Sequence, residues 1–138
     1  MKKNMKRRLL IVDDDTNTLD ILSANLASPD WEIETALDAM SAFLKARETR
    51  PFLIITDIRM PTFGKGTDMV RAVRKEKVLA KTPVIVLTGI DPEQARSLMP
   101  QGDPNIRLLI KPPDFDALMA LVREMGGLDR AAAARNAD

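Results

Sequence analysis

Apolar residues gather in five short runs along the chain, at residues 9–12, 31–35, 52–56, 84–87 and 106–110. Runs of this length that lack a helical period read as strands, and the mostly unbroken ones as strands covered on both faces. Between them the apolar positions take helical spacing. Leu19, Leu22 and Leu26 share one face of a predicted helix over residues 16–27. A second helix follows Asp38, a good N-cap, and carries Met40, Phe43 and Leu44. A third spans about residues 67–75, with Met69, Val70 and Val73 inward. The fourth is short: Asp91 caps it, Pro92 occupies its first turn, Gln94 stands three residues after the cap and Pro100 ends it. The fifth begins near Asp114, with Phe115, Leu118, Met119, Val122 and Met125 as its stripe and Gly126-Gly127 as its stop. These stripes read as core.

Strand–helix alternation of this kind implies a parallel sheet with helices on both faces and right-handed crossovers. With 138 residues the chain is one domain in size. Composition narrows the chemistry. There is no Cys and no His, which removes thiolate sites, His-ligated zinc and His-dependent triads. Any metal must be held by oxygen, which points to Mg²⁺, Mn²⁺ or Ca²⁺. The formal net charge of +1 does not suggest a general polyanion binder. Residues 1–7 read as a loose basic leader. The apolar run after them is far too short for a signal peptide or a membrane span, so a cytoplasmic protein with no membrane insertion is expected. Residues 126–138, Ala-rich after the Gly pair, read as a tail or the start of a linker.

Polar residues sit at the ends of four of these strands. The first strand runs straight into Asp13, Asp14 and Asp15, the third into Asp57, the fourth into Thr88 and the fifth into Lys111. In a parallel sheet these ends share one edge, where open α/β sheets place ligands. If the strand order is 2-1-3-4-5, strands one and three are neighbours, and Asp13, Asp14 and Asp57 converge with Thr88 and Lys111 alongside. Adjacent carboxylates repel unless a cation relieves them. A carboxylate beside a metal can attack phosphorus and become an acyl phosphate, with a Lys ammonium and a hydroxyl stabilising the phosphoryl oxygens. Asp15 is expected to leave the pocket and cap the first helix.

From about Arg8 to Met125 the sequence resembles the receiver domain of two-component response regulators. The matching segments are Leu-Ile-Val-Asp-Asp-Asp (10–15), Thr-Asp-Ile-Arg-Met-Pro (56–61), Val-Leu-Thr-Gly (86–89) and Ile-Lys-Pro-Pro-Asp (110–114). The resemblance implies a doubly wound, flavodoxin-like (βα)5 fold with sheet order 2-1-3-4-5. It implies Asp57 as acceptor of a phosphoryl group from a histidine kinase or phosphotransfer protein. Asp13 and Asp14 would hold Mg²⁺ (or Mn²⁺) with Asp57 and the backbone carbonyl of Arg59. Thr88 and Lys111 would contact the phosphoryl oxygens and carry the switch. The bond before Pro112 is the candidate cis peptide. The surface of helix four, strand five and helix five would meet an output partner, with no direct nucleic-acid binding by this chain.

Three departures stand out. The family usually has an aromatic residue three positions before the Lys; Leu108 stands here, so an aromatic rotamer switch cannot operate. Pro113 replaces the usual Phe after Lys-Pro. Gly64-Lys65-Gly66-Thr67 looks superficially like a phosphate loop but lacks its spacing and follows the wrong strand, so it reads as a surface loop. Arg59 and Ile90 stand two residues after Asp57 and Thr88, positions that in the family flank the path of the attacking water. Two other readings stay open. One is a receiver that docks partners without phosphorylation. The other is a metal-dependent phosphohydrolase, for which Arg59 stands where a second acid is expected.

Overall fold

The computed structural model describes residues 6–57 and 66–128. Its strands are β1 (Arg7–Val12), β2 (Trp31–Ala36), β3 (Leu53–Asp57), β4 (Val84–Thr88) and β5 (Ile106–Ile110). Its helices are α1 (Thr16–Asn25), α2 (Ala39–Thr49), α3 (Gly66–Lys75), α4 (Pro92–Ser97) and α5 (Phe115–Met125), and a turn of 3-10 helix covers Lys77–Leu79. All strand pairs are parallel, in the order β2-β1-β3-β4-β5. The doubly wound fold expected from the alternation is the observed one.

The unbroken apolar runs now have a physical reason. Successive strand side chains point to opposite faces of the sheet. Leu9 and Ile11, with Leu53, Ile55, Ile85 and Leu87, join Leu19, Leu22, Leu118 and Val122 of α1 and α5 in one cluster. Leu10 and Val12, with Ile54, Val84 and Val86, join Ala42, Ala46, Met69, Val70, Val73 and Ala95 of α2, α3 and α4 in the other. Both faces of the central strands are covered, so Leu9–Val12, Leu53–Ile55 and Val84–Leu87 are apolar throughout, and the buried Thr56 and Thr88 come only at or next to the last strand position.

Four aspartates set where helices start. Asp15 accepts from the Asn17 N–H at 2.9 Å, Asp38 from Ser41 at 2.8 Å, Asp91 from Glu93 and Gln94, and Asp114 from Asp116 and Ala117. Each satisfies amides that a helix start leaves without intrahelical partners. At the end of α5, Gly127 adopts φ +78°, the left-handed geometry that closes a helix cheaply only with glycine.

The structure corrects three details. Arg7, which the charge pattern assigns to the leader, belongs to β1. It pairs in register with Trp31, and its guanidinium donates to the Gly126 carbonyl at 2.8 Å. The first helix ends at Asn25 rather than at residue 27, because Leu26 is turned into the core and its carbonyl accepts from the Trp31 indole at 2.9 Å. In α2 the inward face is Ala39, Ala42 and Ala46, while Met40 and Leu44 point outward at 63% and 54% exposure. Small residues let α2 approach the sheet closely, and the large apolar residues on its other face stay in water.

Candidate functional site

The carboxyl edge of the sheet is built by register. Val12 pairs with Thr56 across β1 and β3, so the next residues, Asp13 and Asp57, emerge side by side. Asp57 pairs with Leu87 of β4, and Thr88 pairs with Ile110 of β5. The Lys111 amide then donates to the Thr88 carbonyl at 2.8 Å, which carries the pairing one residue past β5. Thus Asp13, Asp57, Thr88 and Lys111 are placed by backbone pairing rather than by loop conformation.

The side chains close on one another. Carboxylate oxygens of Asp13, Asp14 and Asp57 lie within 4.8 Å of one another. Asp13 is 2% exposed, and its two oxygens have separate tasks. Oδ1 accepts from the Asp15 amide at 3.0 Å, which turns the chain toward α1, and Oδ2 accepts from Lys111 Nζ at 3.2 Å. Lys111 Nζ also meets Asp57 Oδ2 at 3.1 Å, so one ammonium bridges two carboxylates. Partial burial by itself would lower the Lys111 pKa. The charges of Asp57 and Asp13, and its hydrogen bonds to both, outweigh that, and the net shift is upward from 10.5. Asp14 is exposed, and Asp15 leaves the cluster to cap α1.

Three carboxylates this close, with oxygen donors only, fit a hard divalent cation. A cavity of about 280 Å³, lined by Asp57, Gly89, Ile90 and Lys111, opens beside them. Thr88 is fully buried, and its hydroxyl accepts from the Ile90 amide at 3.0 Å. That bond uses a lone pair and leaves the hydroxyl hydrogen for another acceptor. On the other side of Lys111 lies an apolar cavity of about 350 Å³, where Ile21, Leu22, Pro112, Pro113 and Phe115 meet. The Lys111–Pro112 peptide is cis, as the resemblance implies. Leu108 is partly buried and packs against the α2–α3–α4 cluster.

The expected residues Asp13, Asp14, Asp57 and Lys111 are therefore brought together. Thr88 is adjacent through the backbone, with its hydroxyl turned to Ile90. Arg59, whose carbonyl was the expected fourth metal ligand, lies outside the described residues, as do Gly64 and Lys65. Two features had no signal in the pattern of residue types: the double engagement of Lys111, and the Ile90 amide on Thr88. The first depends on side-chain reach across strands and the second on how the backbone turns after β4, neither of which residue types state.

A family model described as "Response regulator receiver domain" matches residues 9–123. The alkaline phosphatase synthesis transcriptional regulatory protein PhoP of Bacillus subtilis is 30% identical over 89 residues, covering 64% of this chain and 36% of that protein. The DNA-binding dual master transcriptional regulator RpaA of Synechocystis is 29% identical over 119 residues, covering 86% of this chain and 48% of that protein. The chain thus spans less than half the length of either relative. Among solved structures, chemotaxis response regulator CheY4 of Vibrio cholerae superposes with a TM-score of 0.74 at 29% identity, covering 87% of this chain and 98% of that one.

Proposed function

Because the chain belongs to the response regulator receiver domain family, we propose that it is the phosphoacceptor of a two-component pathway and takes a phosphoryl group on Asp57. The observation that carries this reading is the convergence at one sheet edge of three carboxylates with an ammonium 3.1 Å from Asp57. An Asp57 carboxylate oxygen attacks the phosphorus of a phosphohistidine on a kinase or phosphotransfer protein. The P–N bond breaks, its electron pair leaves on the imidazole, and Asp57 becomes an acyl phosphate. The chain contains no His of its own, so the donor is another domain or protein.

Asp13, Asp14 and Asp57, with the Arg59 carbonyl, would hold Mg²⁺ or Mn²⁺, which when bound neutralises charge on the phosphoryl oxygens. Lys111, already paired to Asp57, turns part of its hydrogen bonding to a phosphoryl oxygen. Thr88 keeps its bond from the Ile90 amide and offers its hydroxyl hydrogen to another phosphoryl oxygen. That contact pulls on the β4–α4 connection, since Ile90 moves with Thr88. Leu108 cannot supply an aromatic reporter, so the change passes through Ile90 and α4 to the α4–β5–α5 face, where an output partner binds. The activity is a switch with slow self-hydrolysis rather than a turnover reaction. No helix among the described residues is long and apolar enough to cross a membrane.

Incubation with acetyl phosphate and Mg²⁺ tests the reading by mass. A phosphate-mass adduct is expected in the wild type and not in Asp57→Asn or without metal. An adduct that persists in Asp57→Asn would move the acceptor elsewhere. Its absence in the wild type would leave a partner-docking module that is never phosphorylated.

A further inference from the structure

Away from the acidic edge, a groove of about 400 Å³ runs between the end of α4 and the first half of β5. Its floor is apolar, with Met99, Ile106 and Leu108, and the exposed Leu98 stands nearby at the end of α4, 43% exposed. Arg96 and Arg107, both exposed, stand along it. The loop that closes it is tied to α3 and to the segment before β4 rather than to α5. Arg74 is ion-paired with Asp103, the Arg71 guanidinium donates to the Leu98 carbonyl at 3.1 Å, and the Asn105 amide donates to the Lys81 carbonyl at 3.3 Å. These contacts bring Arg71 and Lys81 to the same surface. The acids there are already engaged: Asp103 by Arg74, and Glu124 loosely by Arg107 at 3.7 Å.

We propose that this α3–α4–β5 surface, rather than the α5 side of the output face, receives an acidic segment of a partner protein carrying an apolar anchor residue. The proposal rests on the reading of the chain as a signalling domain with a protein output. Charge complementarity selects the partner, because local cations outnumber acids on a molecule whose formal net charge is only +1. The concave apolar floor selects an anchor side chain, since a flat ionic patch would not need one. Nucleic acid fits less well, because the groove lining offers no aromatic ring for a base to stack on. Arg74 is a positioning residue: it is nearly enclosed by Asp103 and the Leu79 carbonyl and holds the loop in place.

The probe is a short fluorescent peptide of Glu and Asp residues spaced by Leu and Phe, with two controls. One control replaces the acids by Lys, and the other replaces Leu and Phe by Ser. Anisotropy and amide chemical shifts are read on the full chain, with and without acetyl phosphate and Mg²⁺. The acidic, anchored peptide is expected to bind and to shift amides from Leu98 to Leu108. Arg96→Glu combined with Arg107→Gln should weaken it at least about tenfold, through two rim charges. Leu98→Asp, at an exposed position where folding is not at stake, should weaken it as well. Equal binding of the Lys peptide, unchanged binding by the variants, or shifts centred on α5 would overturn the proposal. So would tighter binding of single-stranded DNA at the same amides. The Asp57 adduct is measured by mass in the same samples. An adduct without peptide binding overturns the groove alone, whereas peptide binding without an adduct overturns the phosphoacceptor reading alone.

Discussion

Replacing Lys111 by Met tests how the acidic edge is held together. Met keeps an unbranched stem of similar length and removes the charge. In the native arrangement the ammonium lies 3.2 Å from Asp13 and 3.1 Å from Asp57, whose side chains are 3% and 12% exposed. At an effective dielectric of 20, each contact is worth roughly 5 kcal/mol of gross Coulomb energy, most of it offset by desolvation. Breaking a fully buried pair costs about 3–5 kcal/mol, and the partial exposure of Lys111 lets water screen the acids it leaves behind. We therefore expect a loss of about 1–3 kcal/mol without metal, or a Tm lower by roughly 3–10 °C for a domain of this size. The same substitution removes a positive charge that competes with a divalent cation for Asp13 and Asp57. Added Mg²⁺ should then raise the Tm of Lys111→Met by more than it raises the wild type. Calorimetric scans with EDTA and across a Mg²⁺ titration supply both numbers. An unchanged Tm in EDTA would mean that the ion pairs contribute nothing net. Equal Mg²⁺ stabilisation of both proteins would refute the idea that Lys111 and the metal share the same carboxylates.

Three further outcomes follow from particular contacts. The folded-state pKa of Lys111 is raised, so its contribution to stability is complete below the ordinary value of 10.5 and is lost as pH rises through the folded value; the alkaline limb of a Tm-against-pH curve should be steeper in the wild type than in Lys111→Met, and coincident limbs would contradict the pairing. Ile90 lines the cavity beside Asp57 with an aliphatic side chain, so Ile90→Glu, which can orient water there, should shorten the acyl-phosphate half-life several-fold; an unchanged half-life would remove Ile90 from control of hydrolysis. Met40 and Leu44 are solvent-facing, so replacing both by Gln should change stability by no more than about 0.5 kcal/mol in a urea titration, and a loss of several kcal/mol would show that α2 packs the other way round.

The order of elements was legible because the two periodicities differ so sharply. A run such as Leu9-Leu10-Ile11-Val12 has no polar position to put in water, so it can only be a segment covered on both sides. The aspartate caps were legible for a local reason: each acts on amides within three residues of itself. The candidate site was legible in part. Asp13, Asp57, Thr88 and Lys111 each end an apolar run, and parallel strands bring such ends to one edge whatever the loops do.

Most of what the linear pattern could not supply depends on distances between segments far apart in the chain, and one contact depends on a local backbone turn. Helix α2 contains both large and small apolar residues, and periodicity favours the large ones as core. Only the spacing between helix and sheet decides that Ala39, Ala42 and Ala46 fit and that Met40 and Leu44 do not. Likewise Lys111 announces a cation at the edge, but residue types do not say that its ammonium spans Asp13 and Asp57 together. The Thr88 hydroxyl is held by an amide two residues along, a matter of backbone turn rather than composition. The sequence by itself determined which residues end up at the active edge, because strand direction and burial are encoded locally. The tertiary structure alone decided how those residues share charge, because Coulomb and hydrogen-bond energies change over a few tenths of an ångström between strands brought together only by folding.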